Sequence, residues 1–194
     1  MRVFSFGAST AQGAKDDVGG GFIGRMGNRL IDEQLGQAEN FGIGGENTTQ
    51  MVSRLDVLAD VPKTDIAIVT LGINDVPRYP DSRPERRVAL EKHKTNVQEI
   101  LAFLQVRCNV IYVNQYPVQY QQLGFKPETV ADYRHAGVAI AKSLDVDVVD
   151  IFAMINDGLF GRFIHDDGMH FNSEGHQFIA DVLWDFMLEK GYLK

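Results

Sequence analysis

Near the end of the chain, the segment HDDGMHFNSEGH runs from His165 to His176 and sets three imidazoles beside Asp166 and Asp167. Asp167 and His170 are three positions apart. In a loop entering a helix, that spacing brings a carboxylate oxygen to the ring Nδ1, where it fixes the tautomer and stabilises the imidazolium. An imidazole held in this way is a base without a nucleophile. A serine hydroxyl becomes a competent nucleophile when such a base takes its proton, and Ser9, in FGASTAQG, is the distant partner expected to complete the set. A tetrahedral oxyanion also needs hydrogen-bond donors. The Ser9 N–H, a glycine N–H from the stretch containing Gly42, Gly44 and Gly45, and the side-chain amide of Asn74 in LGINDV can supply them. Asp75 next door is expected to brace its turn by accepting hydrogen bonds from nearby backbone amides.

These residues meet only if the chain places them on one rim, and the pattern of elements says that it does. Strand and helix signals alternate. RVFSF, AENFGI, DIAIVTLG, NVIYVNQY and VDVVDI read as strands, with Pro117 ending the fourth. GFIGRMGNRLIDEQL, NTTQMVSRLDVLAD, DSRPERRVALEKHKTNVQEILAFLQV, PETVADYRHAGVAIAKSL and NSEGHQFIADVLWDFMLEK read as helices. Pro127 suits a first helical turn, and Asn172 or Ser173 is a cap for the last helix. Five strands alternating with helices predict an α/β fold: one parallel sheet with helices on both faces, over a single domain spanning residues 1–194. Such sheets bind ligands beyond the carboxyl ends of their strands. Ser9, the glycine stretch, Asn74 and the His170 segment each follow a strand.

Composition narrows the partners. The chain has 194 residues and a net charge of −7, which argues against nucleic-acid or anionic-membrane partners, since both require a basic face. The basic run RPERRVALEKHK is the best local exception and reads as the solvated start of a helix. The lone cysteine, Cys108, precludes an internal disulfide and reads as a small buried residue. No run of about eighteen apolar residues occurs, so no membrane insertion is expected. The apolar run at the N-terminus is too short for a secretory signal, and a cytoplasmic location is expected. In that setting the sequon at Asn47 is a chance match. Gly19, Gly21 and Gly24 spell G-x-G-x-x-G, but the polar stretch AQGAKDDV separates them from the strand, so they read as a flexible rim loop and not as a dinucleotide site. GASTA nearly matches the G-x-S-x-G elbow of α/β-hydrolases. A serine after the first strand, with Asp and His sharing one loop, disfavours that fold.

Taken in order, four blocks resemble those of the SGNH, or GDSL-type, hydrolases: FGAST, NFGIGGENT, LGINDV and DGMHFNSEGH. The resemblance covers most of the chain. It implies a three-layer α/β/α, flavodoxin-like fold and hydrolysis of an acyl ester, with thioesters and sugar O-acetyl groups left open. It assigns Ser9 as nucleophile, Gly45 and Asn74 as oxyanion donors, and Asp167 and His170 as acid and base, favouring Asp167 over Asp166. It implies a small-molecule acyl ester substrate and no metal or organic cofactor. One position departs: where the family carries Asp before the serine, this chain has Ala8. Ala8 motivates a rival reading as a binding protein with weak or no catalysis. A second rival is a metal-dependent hydrolase built on His165, His170 and His176. The segment YPVQYQQLGFKPETVADYRH is expected to form part of a pocket wall. Neither the acyl preference nor the oligomeric state is readable from sequence.

Overall fold

Val, Ile, Phe and Tyr without polar interruption favour extended backbone buried on both faces, as parallel strands flanked by helices require. The computed structural model describes residues 1–62, 65–114, 118–155 and 157–193. Strand β1 (Arg2–Gly7) leads into a single turn, α1 (Ser9–Gln12), and then into α2 (Gly21–Asp32). Next come β2 (Gln37–Gly42), α3 (Thr48–Val52) and β3 (Ile66–Thr70), followed by α4 (Leu90–Gln105) and β4 (Asn109–Val113). The chain continues through α5 (Tyr120–Leu123), α6 (Pro127–Ser143), β5 (Asp147–Val149), α7 (Ile151–Met154), α8 (Asp157–Phe163) and α9 (Ser173–Glu189). All strand pairs are parallel, in the order β2-β1-β3-β4-β5. This is the strand order of the flavodoxin-like fold that the resemblance implies.

Alternation along the strands sorts the core into two layers. Val3, Ile66, Ile68 and Ile111 face the layer that holds α2 and α9, with Leu30, Leu183 and Trp184. Phe4, Phe6, Ala67, Val69 and Tyr112 face the other, with Val97, Leu101 and Leu104 of α4. Helix starts follow local chemistry. Asn47 caps α3 in a reciprocal box with Gln50, and the Asn172 side chain accepts the Gly175 N–H at the start of α9 (2.9 Å). Pro127 opens α6, as its missing N–H allows. Cys108 is buried as expected, and burial pushes its thiol up to about 12.

Two stretches differ from the sequence expectation. The helix expected from Asp81 begins only at Leu90. Ahead of it, the Asp81 carboxylate accepts the N–H groups of Arg78 (3.3 Å) and Arg83 (3.0 Å), and Pro84 opens a 3₁₀ turn, so the backbone satisfies itself in a loop. Arg83 and Arg86, solvent-exposed as the charge run suggested, and Arg87 therefore lie on that loop and its 3₁₀ turn and not on α4. The helix expected over NTTQMVSRLDVLAD stops at Val52 and gives way to a 3₁₀ turn at Leu55–Leu58. Short α1, α5, α7 and α8 carry too few residues for a periodic signal. Pro117 lies outside the described residues.

Strands β1 and β3 occupy the middle of the sheet in register, with Gly7 opposite Thr70. Gly7 has φ of +152°, and a Cβ there would sit 1.9 Å from the Thr70 carbonyl oxygen. Gly7→Ala is expected to destabilise the fold by about 2–4 kcal/mol through overpacking and backbone strain, read as a lowered urea midpoint with an unchanged slope.

Candidate active site

The carboxyl ends of β1, β2 and β3 and the loop before α9 converge on one cleft of about 420 Å³, and Ser9, Gly45, Asn74 and His170 all line it. Its volume falls within the ordinary range for small-molecule sites. Ser9 is the first residue of α1, immediately after β1. Among the described residues its backbone N–H and Oγ have no hydrogen-bond partner, and neither has the N–H of Gly45. Both amides remain available to a ligand. Gly45 sits at φ of +81°, a conformation that glycine adopts without strain.

His170 Nδ1 lies 2.7 Å from Asp167 Oδ2. The other carboxylate oxygen accepts the N–H groups of Met169 and His170, both at 2.9 Å. Partial burial alone would raise the Asp167 carboxyl. The His170 backbone and ring contacts and the Met169 N–H outweigh it and hold the group at about 2. An ionised carboxylate on Nδ1 leaves Nε2 as the ring nitrogen free to exchange a proton. Asp166 is exposed and takes no part. No hydrogen bond joins Ser9 Oγ to the His170 ring; the two share the cleft wall. Catalytic contacts are often looser before substrate binds.

Two buried carboxylates that the sequence reading did not use as a pair lock these loops. Asp75, fully buried, accepts the Thr48 N–H (2.8 Å) and the Thr48 hydroxyl (2.6 Å), and lies 2.7 Å from His93 Nδ1. It thereby ties the loop after β3 to the loop after β2. Asn74 Nδ2 reinforces the tie by donating to the Glu46 carbonyl (2.9 Å), which uses one of its two amide hydrogens. In place of the expected amides of its own turn, Asp75 accepts the Thr48 N–H on another loop, and its side-chain partners Thr48 and His93 had no sequence signal. Asp16 does the same on the other side. It accepts the N–H of Gly21 (2.8 Å) and the Ser173 hydroxyl (2.8 Å), and pairs with both ends of the Arg25 guanidinium. The stretch expected to be a flexible rim loop is thus pinned to the start of α9. Nothing in the sequence separates Asp16 from its exposed neighbour Asp17.

The three histidines do not assemble. His176 is buried between Phe22 and Phe171, with Nε2 3.3 Å from the Ala14 carbonyl, and burial lowers its basicity. Among the described residues no three His, Cys, Asp or Glu side chains are placed to hold a common metal ion. Of the segment expected to wall the pocket, Leu123 reaches the cleft, while Val118, Phe125 and Tyr133 belong to the core. Tyr116 and Pro117 lie outside the described residues. Ala8 is buried and lines a small recess of about 20 Å³ behind Ser9.

Residues 5–178 match the model of the GDSL-like lipase/acylhydrolase family. The chain belongs to that family. It is 22% identical to the human isoamyl acetate-hydrolyzing esterase 1 homolog, over 97% of this chain and 82% of that protein. Among solved structures, a lipase/acylhydrolase from Enterococcus faecalis superposes with a TM-score of 0.79 at 18% identity, over 100% of this chain and 97% of that one. An acetylxylan esterase from Geobacillus stearothermophilus gives 0.78 at 20% identity, over 100% and 96%. The GDSL-like family places this protein among the carboxylic ester hydrolases. No described helix is long and apolar enough to cross a membrane.

Asp16→Asn leaves Arg25 buried without its counterion, and breaking such a pair costs about 3–5 kcal/mol. Burial favours the neutral acid, but Arg25, Ser173 and the loop N–H groups hold the Asp16 carboxyl well below the usual range. Its contribution is therefore full above the unfolded value of about 4 and is lost as pH falls toward the folded one. The urea midpoints of parent and Asp16→Asn should differ most near pH 7 and approach each other below about pH 4.

Proposed function

We propose that this protein is a serine hydrolase of short acyl esters, acting as one domain through an acyl-enzyme on Ser9. The observation that supports this reading is the shared lining of one cleft by Ser9, Gly45, Asn74 and His170, with Asp167 at the Nδ1 of the imidazole. As Ser9 Oγ bonds to the acyl carbon, His170 Nε2 takes its proton, and Asp167 stabilises the resulting imidazolium. The Ser9 N–H, the Gly45 N–H and the second hydrogen of Asn74 Nδ2 hold the oxyanion. The carbon–oxygen bond to the alcohol then breaks, and His170 returns the proton to the departing alkoxide. Water, deprotonated by the same imidazole, releases the carboxylic acid and restores Ser9.

The size of the acyl group follows from the recess behind Ser9. Its walls include Ile73, Val113, Ile151, Phe171 and Ile179, and its volume of about 20 Å³ admits roughly one water-sized group. An acetyl methyl fits that space and a long chain does not. The acetate esters named for the human relative and for the acetylxylan esterase agree with this preference.

Purified protein given p-nitrophenyl acetate is expected to turn over, with Ser9→Ala slower by about 10⁴-fold or more. Asn74→Ala should lose about 10²–10³-fold in turnover. Rates should drop steeply from acetate to hexanoate. An organophosphonate should label Ser9 in the parent; an unlabelled, inactive but folded protein would instead support the binding-protein reading that Ala8 suggests.

A further inference from the structure

The cleft has one wall of unusual charge for a protein of net charge −7. Arg78, Arg83, Arg86 and Arg87 all line it, and among the described residues that line it Asp81 is the one carboxylate. Asp81 is already committed. It receives Arg87 Nε at 2.7 Å and Arg87 Nη2 at 3.2 Å, and the Arg87 fork with the Arg83 N–H holds its carboxyl well below the usual range. Arg87 also donates to the Asn74 carbonyl (3.0 Å), so its positive charge is spent on the loop itself. Three guanidinia remain without a carboxylate at ion-pair distance among the described residues.

Arg78 is the informative one. Its guanidinium lies over the Phe125 ring at 4.6 Å, and its Nη2 sits 3.5 Å from the Met169 sulfur, next in sequence to His170. Its Nε is buried with no hydrogen-bond partner. Burial and the nearby Arg87 and Arg83 charges disfavour a cation here, the Asp81 charge partly offsets them, and the guanidinium stays protonated. A half-buried guanidinium with no carboxylate at ion-pair distance among the described residues keeps donors available to an anion that enters the cleft. The substrate is what enters the cleft.

We propose that Arg78, supported by Arg83 and Arg86, binds an anionic group on the alcohol portion of the ester. This rests on the serine-esterase reading and deepens it. The recess beside Ser9 has no room for a charged acyl group, and its walls are mostly apolar, with Thr70 and Asn114 among the polar exceptions and no cation among its described lining residues. The alcohol departs past His170, which must protonate it, and Arg78 contacts the residue beside His170. The substrate class is a short acyl ester of a carboxylate- or phosphate-bearing alcohol. A guanidinium recognises either anion by parallel N–H donors.

The test compares 3-carboxyphenyl acetate with phenyl acetate, which share one acyl group, on the parent, Arg78→Gln and Arg78→Lys. The parent is expected to favour the carboxylate ester by about tenfold or more in kcat/KM, mainly through KM, and to lose that preference as salt rises. Arg78→Gln should bring the ratio of the two esters close to one, and Arg78→Lys should restore part of it. The acetate ester of glycerol 3-phosphate, compared with that of glycerol, decides between phosphate and carboxylate as the preferred anion. Should Arg78→Gln fold poorly, the exposed pair Arg83→Gln with Arg86→Gln must lower the same ratio. Calorimetric titration of 3-carboxyphenyl acetate into Ser9→Ala, with and without Arg78→Gln, reads binding apart from turnover and so separates this proposal from the esterase reading. A parent ratio at or below one, or a ratio and affinity indifferent to Arg78, overturns the proposal even where Ser9-dependent hydrolysis of phenyl acetate stands.

Discussion

The site depends on the parallel pairing of β1 with β3 at the centre of the sheet. The chain leaves β1 toward β2 on one side and returns to β3 on the other, so the loops beyond these two neighbours diverge and leave a crevice between them. Ser9 stands on one lip and Asn74 on the other. Their separation is set by backbone hydrogen bonds several residues below. Gly7 is the point where this constraint is tightest, because the Thr70 carbonyl occupies the space of a side chain. An error in that register would move both lips at once, and no loop adjustment would restore them.

Sheet pairing sets the lips, and buried carboxylates set the loops. Asp75 links the second and third loops through Thr48 and His93, and Asp16 links the first loop to the last helix through Ser173 and Arg25. Buried charges of this kind add little net stability over apolar packing, since desolvation offsets their attraction. Their effect is geometric. Loops are otherwise the mobile part of an α/β fold, and these carboxylates fix the loops that line the cleft. The Asp167–His170 pair is of a different kind: it lies at the cleft, half-exposed, with a free ring nitrogen.

Charge in this protein is organised locally. A net charge of −7 describes the long-range field and argues against polyanionic partners. Within a cleft with low-dielectric walls, the nearest few groups decide the potential, and here those are guanidinia. Phe125, Met169 and Leu123 supply the apolar surroundings that strengthen each interaction.

Much of this was legible in the residues themselves. VFSF, IAIVT and VIYV announce buried strands because their side chains admit little else, and alternation with helices makes the sheet parallel. Strand ends then place Ser9, Gly45, Asn74 and His170 on one rim, and the short separation of Asp167 from His170 makes their pairing a local matter. The sequence did not reveal what depends on distant partners. Asp16 and Asp17 are indistinguishable until Arg25 and Ser173 close around one of them. Thr48 and His93 give no sign that they share Asp75. The arginines after Asp81 read as a helix start, because charge and propensity are local properties. Only the folded chain turns Asp81 back on Arg78 and Arg87, holds the segment as a loop, and aims its cations into the cleft. Sequence thus determined the elements and the Asp167–His170 pairing, which depend on near neighbours; tertiary structure decided which buried charges pair and which stay free, since that depends on residues brought together from across the chain.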